Sequence, residues 1–482
     1  MQIVPCPNCG AQIEFRSHAS VLAVCEYCKT TVLKDAESVK NLGKMSDVLE
    51  DYSPIQIGTT GTFGGNAFTI IGRIQLRYSD GMWNEWYALF DNGKTAWLGD
   101  ASGQYTLTTE IHANAQLPEF TALIPSHSYL INGQNYIAAD VRTADCIGGQ
   151  GELPFKIGQG WQAHVADLRS GRNFLTLDYS DSNQPQVYTG QAVSLDELKC
   201  QLLRDDDQVR TSAGKFKGKI EILACPHCGS STQFLPGITT TIVCPSCHSQ
   251  VDTSGPVSQI LAAGERVEHV HTTLKLGAQA TISGRQFQLI GLMQCSDNEN
   301  TVWTEYLLHS PKAGFLWLIE TTEGWARAIV LDEWPVWMQE DAAVLGKVPF
   351  HKLYRYPATV LFAAGAFNWR VGIGYRTEVV EFQGGQNKLA VEMTSSEITW
   401  SQSSPVSADQ IRAWFGDAVV VNKTSTDENI KALSTKFIGL ILALNLIPLL
   451  LSINTWIYVL IGGLAIYLPA KYLNSYFEEG NE

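Results

Sequence analysis

The chain has 482 residues, 45% hydrophobic and only 17% charged, with a formal net charge of −14. That length fits two or three domains, each large enough to bury a core without disulfides. With 48 acidic against 34 basic side chains, it does not read as a protein built to hold nucleic acid, because that affinity comes from neutralising phosphates with Lys and Arg.

The first feature along the chain is a cysteine frame. Cys6 and Cys9 are followed after 15 residues by Cys25 and Cys28, and the same C-x2-C-x15-C-x2-C frame returns at Cys225, Cys228, Cys244 and Cys247. Each C-x2-C turn presents two sulfurs to one metal, so two pairs close a tetrahedron. The expectation is one structural zinc per frame, two per chain, with iron as the chemical alternative. Gly10 and Gly229 follow the leading pairs and suit the tight turn of such a knuckle. Four sulfurs leave no open coordination position, which disfavours catalytic zinc. Residues 221–251 contain no Lys or Arg, and the first ribbon offers only Arg16 and Lys29, so nucleic-acid binding through the ribbons is the weakest of the functional readings. Cys146, Cys200 and Cys295 have no partner spacing and read as small apolar residues. Thiolate sites imply a reducing cytosol, and Met1-Gln-Ile-Val-Pro-Cys6 has no signal-peptide pattern.

The ribbons head an internal repeat with an offset near 220 residues. Phe68-Thr-Ile-Ile-Gly72 answers to Phe287-Gln-Leu-Ile-Gly291, Trp83-Asn-Glu85-Trp86 to Trp303-Thr-Glu305-Tyr306, and Trp97-Leu98 to Trp317-Leu318. Phe155-Lys-Ile-Gly158 through Trp161 matches Trp369-Arg-Val-Gly372 through Tyr375. Both units close on a capping box, Ser194 to Glu197 and Ser407 to Gln410, expected to start a short helix. Strand patterns run over Ala67–Tyr78, Trp83–Phe90, Tyr129–Ala138 and Asn173–Tyr179, with turn signals at Asn92-Gly93 and Asn132-Gly133.

The expected fold is mainly β: two zinc ribbons, each followed by a β-barrel or sandwich-like domain ending in a short helix, then an α-helical transmembrane hairpin. The boundaries are ribbon 1 at 1–30, a linker at 31–52, a β domain at 53–203, a linker at 204–220, ribbon 2 at 221–251, a linker at 252–270, a second β domain at 271–416 and a linker at 417–434. The hairpin takes 435–473 and a cytoplasmic tail 474–482.

Within the repeated Trp-x-Glu motif, a strand's period of two puts Trp83, Glu85 and Tyr87 on one face, and Trp303, Glu305 and Leu307 on the equivalent face. A glutamate between apolar neighbours needs a hydrogen-bond donor or a raised pKa. It reads either as a ligand-binding or catalytic carboxylate or as a strut between strands. The candidate binding residues are Trp83, Glu85, Trp97, Trp303, Glu305 and Trp317. No nucleophile and base recur at fixed spacing in both units, so no catalytic residue is assigned. Cys146-Ile-Gly-Gly-Gln-Gly151 lacks the Lys-Ser/Thr of a phosphate loop.

From Phe437 to Ala470 there are 34 residues without a charge. One straight helix of that length exceeds a ~30 Å hydrocarbon core, and Pro448 with Ser452–Thr455 offers a place to turn. Two close-set helices fit best, with a hairpin dipping into one leaflet as the alternative. Lys431, Lys436 and Lys471 flank the outer ends, which puts both termini and the soluble domains in the cytoplasm by the positive-inside rule.

The sequence resembles a bacterial family of proteins built on a domain of unknown function, with a ribbon, a Trp-x-Glu-Tyr β domain and a C-terminal membrane segment. The residues that carry the resemblance are Gly43-Lys44-Met45, Phe68–Arg73, Trp83–Tyr87, Trp97-Leu98, Gly151–Phe155, Val165–Arg169 and Asp178–Asp181. The second copy keeps Gly346–Phe350 and lacks the Asp-Tyr-Ser-Asp string. The resemblance implies no activity. The leading functional expectation is a non-enzymatic scaffold or adaptor at a bacterial inner membrane, binding other proteins of a membrane-associated complex and touching the bilayer through 435–473. The alternative is a small-molecule sensor or enzyme using Glu85 and Glu305 in an aromatic-lined pocket.

Overall fold

The computed structural model describes residues 2–17, 20, 22–28, 30–34, 39–44, 53–78, 81–101, 103–112, 117–155, 161–205, 222–233, 241–252, 259–262, 272–310, 313–338, 341–419, 436–438, 440–451, 456–457, 459–461 and 464–465. The first ribbon supplies β1 (Gln2–Pro5), β2 (Gln12–Phe15), β3 (Leu22–Val24), β4 (Thr30–Lys34) and β5 (Val39–Lys44). The first domain follows with β6 (Thr60–Phe63), β7 (Asn66–Arg77), β8 (Met82–Phe90), β9 (Thr95–Ala101) and β10 (Gln104–Ile111). It continues through β11 (Ser128–Ile131), β12 (Gln134–Leu153), β13 (Gln162–Ser170), β14 (Asn173–Asp178) and β15 (Gln186–Val193).

The second half repeats the plan. Its ribbon has β16 (Ile222–Ala224), β17 (Ser231–Gln233), β18 (Thr241–Val243), β19 (Gln250–Asp252) and β20 (Gln259–Ala262). Its domain has β21 (Gln279–Ile282), β22 (Arg285–Ser296), β23 (Val302–Ser310), β24 (Gly314–Thr321), β25 (Gly324–Val330), β26 (Val336–Met338) and β27 (Ala342–Leu345). The last strands are β28 (Val348–Phe367), β29 (Arg376–Gly384), β30 (Asn387–Met393) and β31 (Ile398–Val406).

In each domain the antiparallel ladders return on themselves. β12 pairs with β13 at one end and with β7 at the other, closing the ring β12-β13-β14-β15-β10-β9-β8-β7. β28 closes the second ring in the same way, through β29 and β22. Closure removes the exposed sheet edges that an open sheet would present. The two crossings are built on glycine pairs. A Cβ on Gly72 would sit 1.8 Å from the Glu152 carbonyl oxygen, and one on Gly151, at φ +66°, 2.2 Å from that of Ile71. Gly291 and Gly365 repeat the pair, with Cβ positions 2.6 and 2.4 Å from the carbonyl oxygens of Ala366 and Ile290. This close approach explains the glycine that ends the repeated Phe-x-x-Ile-Gly motif.

Alternation sorts the strand faces. Trp86, Ala88 and Phe90 of β8 join Phe68, Leu98 and Leu107 in one core layer, leaving Trp83, Glu85 and Tyr87 on the other face. Likewise Ala166, Leu168, Leu175 and Leu177 turn one way, and Asp167, Thr176 and Asp178 turn the other.

The structure departs from the sequence reading at several points. The segments 31–52 and 252–270, read as linkers, carry β4, β5 and β20, because each ribbon's second hairpin extends into the domain sheet. β3 pairs with β12 and β18 with β28, so the ribbons are continuous with the domains that follow them. The expected strand Tyr129–Ala138 is a hairpin, turned at Asn132 and Gly133 with φ of +51° and +80°. The Ser407 hydroxyl accepts from Gln410 N and starts a helix over Ala408–Phe415. The first copy makes both bonds of its capping box, Glu197 N to Ser194 Oγ at 3.1 Å and Ser194 N to Glu197 Oε2 at 3.0 Å, yet forms only a turn. Lys199, at φ +50°, bends the chain away after one winding.

Met1–Ala418 forms one compact unit and Val419–Glu482 another. The hairpin expected at 435–473 lies largely outside the described residues. The described part includes a helix over Leu446–Leu451, and among the described residues no helix is long and apolar enough to cross a membrane.

Candidate functional site

Both cysteine frames converge. The four sulfurs of Cys6, Cys9, Cys25 and Cys28 lie within 4.8 Å of one another, as do those of Cys225, Cys228, Cys244 and Cys247. Cross-knuckle Sγ···Sγ distances are 3.6 Å in the first set and 3.7 Å in the second. Four sulfurs at Zn–S distance from one ion stand ~3.8 Å apart, so the spacing fits a tetrahedral thiolate site. The knuckles form as their glycines require: Gly10 N and Gly229 N donate to the carbonyls of Cys6 and Cys225, with φ of +78° and +73°. Hydrogen bonding with Asn8 and Thr30 pushes the Cys28 thiol down to about 5. Against the lowering by the Ala11 backbone, the neighbouring Cys28, Cys25 and Cys6 sulfurs and burial push Cys9 up to about 12. Each cluster can hold one metal ion.

Ribbon 1 is also clamped to its domain by Glu152, which the sequence did not single out. Its buried carboxylate accepts from Arg16 N at 2.7 Å, Ser17 N at 3.0 Å and Ser20 Oγ at 2.7 Å. By register the second domain has Ala366 at that position and lacks this clamp.

A cavity of about 1220 Å³ opens between the two β domains. Of the six candidate binding residues, Trp83, Glu85, Trp303, Glu305 and Trp317 line it. Trp97 does not; it packs behind the wall against Tyr87 and Phe155, with ring centres 4.9 and 5.8 Å away. The Trp-x-Glu motif makes the same bond in both copies: Trp83 Nε1 donates to Glu85 Oε1 at 2.8 Å, and Trp303 Nε1 to Glu305 Oε1 at 2.7 Å. The indole two residues earlier, on the same strand face, is thus the donor that this carboxylate needs.

Further acids meet these glutamates across each ring. Burial and the neighbouring Asp167 push Glu85 up to about 8, against the lowering by the Trp83 indole. Burial raises Glu305, with Glu381 adding to the effect and Trp303 opposing it. Ladder registers make the sets equivalent. Asp167 opposite Thr176 corresponds to Glu381 opposite Ala390, and Asp178 opposite Val165 corresponds to Glu392 opposite Val379. Sequence held one trace of this, since Asp167 and Asp178, like Glu381 and Glu392, stand eleven residues apart.

The domains are joined beside the cavity. Arg142 makes an ion pair with Asp140 of its own strand and donates from Nη2 to Glu397 Oε2 of the second domain at 2.8 Å. Val141 N donates to Ser396 O at 3.1 Å, and Trp334 N to Gly171 O at 3.0 Å.

Residues 56–195 and again 275–408, together more than half of the chain, match the family described as a domain of unknown function, DUF4178. The chain belongs to the DUF4178 family. No curated protein and no solved structure matches it. Each DUF4178 domain coincides with one strand ring and brings one Trp-x-Glu pair to the cavity wall.

The raised carboxylate of Glu85 has a stability consequence. Below its ordinary value near 4.5, folded and unfolded chains both bind the proton. Between there and about 8 only the folded chain does, so stability falls as pH rises through that window, by up to ~1.4 kcal/mol per pH unit, and levels off above it. Glu85→Gln keeps an oxygen for Trp83 and removes the titration. In denaturant unfolding the variant is expected to gain stability over wild type from pH 5 to pH 9. A difference that does not vary with pH would show that Glu85 carries its charge at no cost.

Proposed function

We propose that the protein is a non-enzymatic, membrane-held binding protein. In this reading its two DUF4178 domains enclose one small-molecule cavity, and its two ribbons are zinc-stapled. The apolar stretch at 435–473 anchors it as a hairpin, with the soluble domains facing the cytosol of a bacterial inner membrane. Occupancy of the cavity would then be passed to other proteins of a membrane-associated complex.

The observation that carries this reading is the shared cavity, on whose wall both copies place the same indole-clamped glutamate. Its described lining holds carboxylates, aromatic rings and arginines. Cys295, Ser401 and Ser403 also line it but no histidine stands there to activate them, a composition that favours binding over nucleophilic chemistry. Closed four-cysteine sites suit structural zinc, with no position left for a substrate. The lack of any charge between Phe437 and Ala470 supports the anchor.

Mass spectrometry of the full chain, extracted in mild detergent and then denatured, should release a small molecule that is absent when Glu305→Gln and Trp303→Phe are combined. Membranes washed with alkali should retain the full chain and lose a form truncated after Asn429. Recovery of an empty chain from its own cells, together with turnover of any added metabolite, would replace binding with catalysis. Release of the full chain by alkali would remove the anchor.

A further inference from the structure

The occupant's chemistry can be read from a difference between the two domains, an inference that rests on the cavity proposed above. The first domain shows how this fold seats a cation. The Arg142 guanidinium lies between the carboxylates of Asp140 and Glu397 and stands 3.9 Å from the centre of the Tyr78 ring, with the Trp83 ring at 5.9 Å. A planar delocalised cation is held there both by carboxylate oxygens and by the negative faces of aromatic rings.

The second domain keeps the counterparts of Trp83, Glu85, Asp167 and Asp178 as Trp303, Glu305, Glu381 and Glu392 but not that cation, and Tyr354 and Asp297 stand where Asp140 and Tyr78 do. Arg142 stands opposite Val165, which stands opposite Asp178; in the same ladders Tyr356 stands opposite Val379, which stands opposite Glu392. The position that holds a guanidinium in one copy therefore holds a phenol in the other. The Tyr356 hydroxyl donates to Glu381 Oε1 at 2.7 Å, and its ring meets that of Trp303 edge to face at 5.8 Å. Glu305, Glu381 and Glu392 all line this part of the cavity. Among the described residues Lys388 reaches only Glu381, at 3.4 Å, and Arg355 leans towards Glu378, at 3.9 Å.

Glu392 is the least provided for. It has no hydrogen bond and no ion pair among the described residues, and its side chain is exposed to the space of the cavity, whose walls enclose it. Burial, Glu305 and Glu397 push it up to about 8, as expected of an acid that lacks a counter-charge.

We propose that the cavity binds an organic cation with a guanidinium or ammonium head, seated on Glu305, Glu381 and Glu392 against the rings of Trp303 and Tyr356. The ligand supplies in the second domain the charge that Arg142 supplies in the first. Anionic ligands are repelled by these carboxylates, and a bare metal ion would leave the aromatic walls and most of the volume unused.

The test compares three probes of one shape on the full chain in detergent by calorimetry: N-acetyl-arginine amide, N-acetyl-lysine amide and the neutral N-acetyl-citrulline amide. At least one cation is expected to bind once per chain, and the neutral probe at least ~10-fold more weakly, the loss of one charge-assisted contact. The tighter cation separates guanidinium from ammonium. Glu392→Gln, which breaks no bond among the described residues, should weaken the cation at least ~10-fold and leave the neutral probe and the metal content unchanged. Equal affinity for the neutral probe would overturn the cation and leave the cavity reading standing. No binding by any probe would overturn both, and full affinity in Glu392→Gln would overturn this seat.

Discussion

Chelation of the metal from the full chain is expected to unfold both ribbons and to strip a strand from each domain sheet. A ribbon of thirty-odd residues has almost no core of its own; in the second, the buried cluster is Cys225, Ile242, Cys244 and Val251. Metal binding in such segments is folding free energy, ~10–16 kcal/mol for structural zinc at neutral pH. Elemental analysis should give two metals per chain before treatment and one after Cys25→Ser with Cys28→Ser. Amide exchange should quicken at Leu22–Val24 and Thr241–Val243, whose ladders to β12 and β28 depend on ribbon geometry. Ribbon 2 should open further than ribbon 1, because Glu152 holds only the first. Unchanged protection in a metal-free chain would mean that the sulfurs do not support these strands.

Arg142→Met is expected to be the most destabilising single change away from the metals. It removes the cation shared by Asp140 and Glu397 and leaves two carboxylates facing each other at the junction of the domains. Removing one partner of a fully buried ion pair costs ~3–5 kcal/mol, and with the Asp140 and Glu397 side chains 22% and 38% exposed, solvent screens part of that. Burial already pushes Asp140 up to about 7 although Arg142 lowers it, so without the arginine it will hold its proton to still higher pH. The loss should accordingly grow as pH rises past about 7, where Asp140 ionises in the wild type and not in the variant, and Arg142→Met combined with Asp140→Asn should recover part of it. Denaturant unfolding measures both effects. A cost under ~0.5 kcal/mol at pH 9 would mean that the domains are held together elsewhere.

The cysteine frames were legible because the same C-x2-C-x15-C-x2-C spacing occurs twice, and each set of four sulfurs converges within 4.8 Å. The clamped glutamate was legible too: a strand's period of two places Trp83 and Glu85 side by side wherever the strand lies. Trp97 shows the limit of that logic, for its face follows from β9 but the depth at which it packs depends on Phe155, far along the chain. The capping box at Ser194 shows another, since its two bonds form and the helix is then lost to the backbone turn at Lys199. The segments 31–52 and 252–270 looked like linkers because strands of four to six residues are too short to show a clear alternation.

By itself the sequence determined the duplicated plan, written at an offset near 220 residues, and the two four-cysteine frames, the strand character and the paired Trp-x-Glu faces, written in spacings of two to fifteen residues. Only the tertiary structure decided that β12 and β28 each pair twice and close a ring. It also brought Asp167 and Asp178 to Glu85, and placed Arg142 against Glu397, 255 residues away. Those contacts follow from ring closure and from the docking of one domain on the other, and long-range pairing leaves no periodic mark on the chain. Part of the −14 charge acquires a location in this way, as carboxylates of both domains line one cavity that holds fewer cations than acids.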